Sequence, residues 1–226
     1  MPKSILAWIV LPLLSLIFFS FLAVSTPVAK AATSNHVVIS EVQIAGVTAG
    51  DEFVELYNPT SSDISLGGWR LTHKNSGGSQ SNLVLTLTGT IKAHGYFLIT
   101  PQTGYTGSVP ADTTYSVTSN LLAASHTVLL FSDAGNTLVD KVGLGEAGDF
   151  ETASTPNPTS SASAERKAVA TSTTESMTSG TDVTTGNSED TDNNLNDFIT
   201  RTISQPQNST STTETLPDAT PSNPPT

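Results

Sequence analysis

The sequence predicts an all-β fold, a sandwich of short strands. From His36 to Val142, short apolar runs alternate with clusters of Gly, Pro, Asn and Ser. No window sustains a helical period. The run from Asp51 to Pro59, followed by Leu66 to Leu71, reads as strand, polar turn and second strand. The pattern places strands near 37–44, 52–58, 69–73, 83–88, 96–100, 127–132 and 137–142, and short strands with frequent turns argue for a sandwich.

Each element has a local reason. Phe53, Val54, Leu56 and Tyr57 prefer the pleated strand. Asn58-Pro59 ends that strand, because proline lacks a ladder donor and restricts its predecessor. Gly67-Gly68 permits a sharp bend ahead of the indole of Trp69. Leu83 to Thr88 alternates, with leucines on one face and Val84, Thr86 and Thr88 on the other. Asp133-Ala134-Gly135-Asn136 is a hairpin turn, with Gly135 and Asn136 available for positive φ. Val54, Leu56, Trp69, Leu71, Leu98 and Leu129 are the expected core, where two inner sheet faces interlock.

Three segments in order carry a family resemblance: Val38-Ile39-Ser40-Glu41-Val42, Glu52-Phe53-Val54-Glu55-Leu56-Tyr57-Asn58 and Leu66-Gly67-Gly68-Trp69-Arg70-Leu71. Together they resemble the lamin tail domain family. The likeness continues through Gly95 to Ile99 and His126 to Ser132, and ends near Asp140-Lys141-Val142. It implies an immunoglobulin-like β-sandwich of the kind found in nuclear lamin tails. The same domain recurs in secreted prokaryotic proteins, often beside nucleases and other hydrolases. Fold follows from this resemblance, whereas function lives in sites grafted onto folds.

Residues 1–32 read as a signal peptide, with an N-terminal membrane anchor as the alternative. Lys3 precedes an almost wholly apolar run from Ile5 to Val24, and Ala29-Lys30-Ala31 offers a small-x-small cleavage pattern. Both readings place the remainder outside the cytoplasm, secreted or on the extracellular surface. The chain has no cysteine and carries a formal charge of −11. From Ala32 onward, seven basic residues face 20 acidic ones, a formal −13. Arg166-Lys167 is the single adjacent basic pair, so a phosphate-neutralising surface is not expected and nucleic acid is an unlikely partner.

The sandwich is assigned to 33–148. Residues 151–186 hold 17 Ser and Thr in 36 positions, which alone would read as disordered. Two islands, Ser163 to Lys167 and Asp190 to Phe198, are similar to the extension that follows the core in bacterial members of the family. Residues 149–208 are therefore expected to be a Ser/Thr-rich extension that packs back on the sandwich. Residues 209–226, with nine Ser and Thr and four Pro in 18 positions, read as a disordered tail whose removal costs no stability.

Candidate chemistry is sparse. Gly143-x-Gly145-x-x-Gly148 matches a dinucleotide fingerprint, but Asp149 to Pro158 cannot open the helix that such a site needs. Asp190, Asp192, Asn194 and Asn196 alternate like the ligands of a calcium loop. Leu195 stands where an EF-hand needs glycine, and Arg201 where it needs glutamate, so self-capping of a turn is the stronger reading. Asp51, Glu52 and Glu55 could suggest paired carboxylates, yet Glu52 and Glu55 fall on opposite strand faces. Structural use, or pairing with Arg70 or Lys74, is the better account. His36, His73, His94 and His126 lie far apart, without metal-binding spacing. No catalytic residue, resident metal or cofactor is expected. The expectation is a secreted or cell-surface, non-catalytic binding or structural module whose ligand is a protein or cell-envelope polymer. Membrane contact is expected only through an uncleaved N-terminus. The alternative is an accessory domain or subunit of a secreted hydrolase.

Overall fold

The computed structural model describes residues 32–118 and 121–217. The expected signal peptide lies outside these residues, apart from Ala32. Twelve strands follow in chain order: β1 (Val38–Gln43), β2 (Phe53–Tyr57), β3 (Ile64–Ser65), β4 (Arg70–Lys74), β5 (Gln80–Val84), β6 (Thr90–Ile91), β7 (Tyr96–Pro101), β8 (Thr113–Tyr115), β9 (Thr127–Ser132), β10 (Thr137–Gly143), β11 (Ser163–Arg166) and β12 (Phe198–Arg201). Two short helices, α1 (Thr174–Ser179) and α2 (Asn194–Asp197), lie between the last two strands.

The strands form a six-stranded sheet, β12-β11-β1-β2-β7-β8, and a four-stranded sheet, β10-β9-β4-β5, with β3 and β6 paired separately. The pairings are antiparallel except β7–β8. One core lies between the two main sheets. Ile39, Val42, Val54, Leu56, Phe97 and Ile99 come from the larger sheet, and Leu71, Val128, Leu130 and Val142 from the smaller. An antiparallel sheet often leaves one face wet. Here β1, β2 and β7 are buried along their whole lengths.

The strand expected at 83–88 is shifted. β5 stops at Val84, and the chain bends at Leu85-Thr86, so Leu85 is 57% exposed while Leu83 and Leu87 are buried. The Leu87 N–H donates to Trp69 O at 2.6 Å, which anchors the chain after the bend. The 133–136 turn also differs. Asp133, Ala134 and Gly135 have positive φ, while Asn136 sits at −89° and its side chain donates to Asp133 O. Gly135 is favoured because its φ of +88° lies in a region that strains residues bearing a β-carbon. Trp69 packs against the core but is only partly buried.

The C-terminal half is less separate than expected. β11 pairs with β1 and β12 with β11, so residues 163–166 and 198–201 extend the larger sheet. The intervening Ser/Thr-rich stretch contains α1, whose Thr173 and Ser176 form a reciprocal capping box. The expected tail from residue 209 is corrected through 217. Ser209 donates to Asp112, the Glu214 N–H to His94 O, and Leu216 packs on Val38, Tyr57 and Tyr96. Residues 218–226 lie outside the described residues.

Candidate functional site

A groove of about 500 Å³ opens at one end of the larger sheet. β2 supplies Phe53, whose ring meets that of Tyr105 edge-on with centroids 6.3 Å apart. Tyr105 lies in the loop between β7 and β8. Its hydroxyl is buried and has no hydrogen-bond partner among the described residues. Two apolar side chains also line the groove, Val47 at 80% exposure and Ile203 at 75%. Asp51 fastens two loops together, accepting from Val47 N and from Thr106 N and Oγ1. Burial alone would raise its carboxyl, but these hydrogen bonds prevail and hold it below the usual range. Sequence reasoning missed Tyr105 and Ile203. The available signal was a tyrosine between Gly104 and Gly107, together with an isolated isoleucine in a polar segment.

On the outer face of the same sheet, three carboxyls stand in register. Glu41 on β1 lies opposite Glu165 on β11 and opposite Glu55 on β2. Their exposures are 1%, 9% and 1%. A register shift leaves Ser40 as an extra residue in β1, so Glu41 faces outward although strict alternation would turn it inward with Ile39. Burial, followed by the neighbouring Glu165 charge, pushes Glu41 up to about 8. Burial, then Glu41, raises Glu55 well above the carboxylate range. Glu165 is pushed to about 7 by burial, with Arg201 opposing at 2.7 Å. Residues 203–217 form a C-terminal strap across this row.

The four calcium-loop candidates do not converge. Asp190 instead meets Glu151 and Asp197, their ligand oxygens within 4.8 Å of one another. Asp197 accepts from Thr191 N and Oγ1 and from Asn193 N, the turn-capping role. Asn194 accepts from Gly143 N and Glu151 N and donates to Lys141 O and Glu151 Oε2, which makes it a strut between loops. Asp192 and Asn196 are exposed. Arg166 already supplies countercharge here, with Nη1 3.5 Å from Asp190.

The remaining motifs have local explanations. No helix follows Gly148, and the chain runs on through bends to Thr155, which pairs back with Gly143 and Gly145. Glu52 accepts from Tyr115 OH at 2.5 Å and Leu122 N at 2.9 Å; burial pushes it up to about 7. Neither Glu52 nor Glu55 pairs with Arg70 or Lys74, a correction that follows from β2 and β4 lying in different sheets. Arg70 donates to Leu85 O and Ala134 O, while Lys74 and Lys141 share Asp149. The fold does unite two distant histidines, with His73 and His126 Nδ1 atoms 3.1 Å apart.

These features define a β-sandwich module with an open groove and a strapped outer face. A family model described as Lamin Tail Domain matches residues 30–146, about half of the chain. The chain belongs to the lamin tail domain family, and its fold is the immunoglobulin-like β-sandwich. A comparison with curated proteins returned no match. The match stops before β11 and β12, although both strands belong to the larger sheet.

Proposed function

We propose that the protein is a secreted or cell-surface, non-catalytic module that binds an uncharged segment of a protein or cell-envelope polymer in the Phe53–Tyr105 groove. The Tyr105 hydroxyl carries this reading, because a buried polar group without a partner is suited to meet a ligand's acceptor or donor. The groove lies within the 300–1,000 Å³ range of ligand sites. Its described lining holds no Lys or Arg, and its one carboxylate, Asp51, is occupied by internal hydrogen bonds. That favours a neutral ligand over nucleic acid. Export rests on the apolar Ile5–Val24 run and the Ala29-Lys30-Ala31 pattern.

Co-sedimentation with cell-envelope polymer tests the reading. Tyr105→Ala and Ile203→Asp are expected to weaken binding about tenfold, which corresponds to ~1.4 kcal/mol. Unchanged binding in both variants refutes the groove. Reproducible hydrolysis of the polymer by the purified protein refutes the non-catalytic assignment.

A further inference from the structure

We propose that residues 203–217 form a pH-sensitive strap, closed over the Glu41–Glu55–Glu165 row while that row holds protons and lifted when it loses them. The first ground is register. Three carboxyls sit directly opposite one another on adjacent strands, where like charges repel across a few ångströms. The second is the strap's own carboxyl, Glu214, which enters the same face. It accepts from Tyr96 OH at 2.7 Å and from Gln207 Nε2 at 2.8 Å. Four carboxyls thus meet one guanidinium, Arg201, and full ionisation would confine a formal −3 in a buried layer. Buried, uncompensated carboxylates take up protons instead.

The first part of the strap, residues 204–207, is held through that layer, and the part from Asn208 onward is held by Pro110, Asp112, His94 and Gly186. Gln205 N–H donates to Glu41 Oε1 at 3.2 Å, and Gln207 N–H donates to Glu55 Oε2. Ser204 Oγ donates to Gln43 Oε1 at 2.7 Å. Arg201 on β12 bonds Gln205 Oε1 at 2.5 Å as well as Glu165. A cavity of about 170 Å³ beneath the strap is lined by Glu165, Asp182, Arg201, Gln207 and Glu214. It has room for several waters, at about 30 Å³ each, and so a route for protons.

The other titratable neighbours do not replace this switch. Asp182 accepts from Ser172 and Ser176 and is tied to the α1 cap. Tyr57 and Tyr96 donate to Glu214, and burial raises both phenols, so they remain donors through neutral pH. Tyr105 is pushed up to about 12 by burial and nearby carboxylates. His94 meets Glu214 N–H through its carbonyl, and Asp112 accepts from Ser209 at the far end of the strap. Glu214 is raised by burial, in the same direction as the row. Ile203, Ser204, Gln205 and Pro206 also wall the groove, so lifting the strap would open it. That consequence depends on the groove reading, whereas strap release does not.

Hydrogen exchange on the purified protein at pH 5, 7 and 9, corrected for intrinsic rates, tests the proposal. Protection of the Gln205 and Gln207 amides is expected to fall at least tenfold from pH 5 to 9, while Val128 to Leu130 in β9 remain protected. Glu41→Gln with Glu55→Gln is expected to keep the strap protected at pH 9. If that pair fails to fold, Glu214→Gln removes one charge from the strap and is expected to move the midpoint to higher pH. A His94→Gln variant is expected to leave the midpoint unchanged. The proposal is overturned by strap protection that does not change with pH, by simultaneous loss of β9 protection, by neutral variants that open like wild type, or by a midpoint that follows His94. Ligand binding plays no part in the readout, so failure of the groove reading leaves this result interpretable.

Discussion

Arg166 is fully buried and holds three parts of the molecule together. Its Nε donates to Ile39 O at 3.0 Å, its Nη1 to Glu189 O at 2.8 Å, and its Nη2 to both oxygens of Asp140. The Phe198 ring lies 4.7 Å from its guanidinium carbon. Asp140 reaches it because β10 shifts register between Leu138 and Asp140. In sequence, Arg166 is half of a basic pair, and its burial has no local signature. Removing one partner of a buried pair leaves the other uncompensated. Arg166→Leu is therefore expected to lower stability by about 3–5 kcal/mol, read from urea denaturation. Arg166→Leu combined with Asp140→Leu is expected to recover much of the loss. A single-variant cost below ~1 kcal/mol would count against this keystone role.

Between elements, the strap and the β11–β12 pair decide where the fold ends. A chain stopped after Asn208 loses the Glu214 bonds to Tyr57 and Tyr96 and the Leu216 contact with their rings. The expected drop in Tm is several degrees, since ~1 kcal/mol moves a domain of this size by about 2–4 °C. Calorimetry of the shortened and full chains at pH 5 checks it, and equal Tm values would return residues 209–217 to the status of a free tail. The segment looks like a tail in sequence because Ser, Thr and Pro dominate it. Its fixation comes from partners far away in the sequence, such as Tyr96, 118 positions from Glu214, and Asp112, 97 positions from Ser209. β5 teaches the opposite lesson: the leucine alternation of 83–88 was local, and the bend at Leu85-Thr86 breaks it.

Across the whole molecule, pH should act through carboxyls raised by burial. Glu41 and Glu151 are pushed to about 8, and Glu52 and Glu165 to about 7. Each favours the folded state fully below the unfolded value of 4.5, and that contribution is lost as pH rises through 7 to 8. Asp51 and Asp149 are lowered from 3.8, so their opposing effect falls in more acidic solution. Tm is therefore expected to be highest near pH 5 and to fall by several degrees toward pH 9; a melting profile that rises over this range contradicts the assignment. The sequence by itself determined the strand-rich pattern, the family and several inner-face residues, including Val54, Leu56 and Leu71, whereas Leu98, opposite Glu55, and Leu129 are buried outside the core between the sheets. Those features depend on a two-residue period and turn chemistry within a few positions. Tertiary structure alone decided which polar groups meet. The extra residue in β1 turned Glu41 onto the face shared with Glu55 and Glu165, and the strap then buried all three. A local alternation cannot anticipate this arrangement, because its cause is the cost of leaving carboxyls in an apolar core, set by strands that join the sheet 122 positions later.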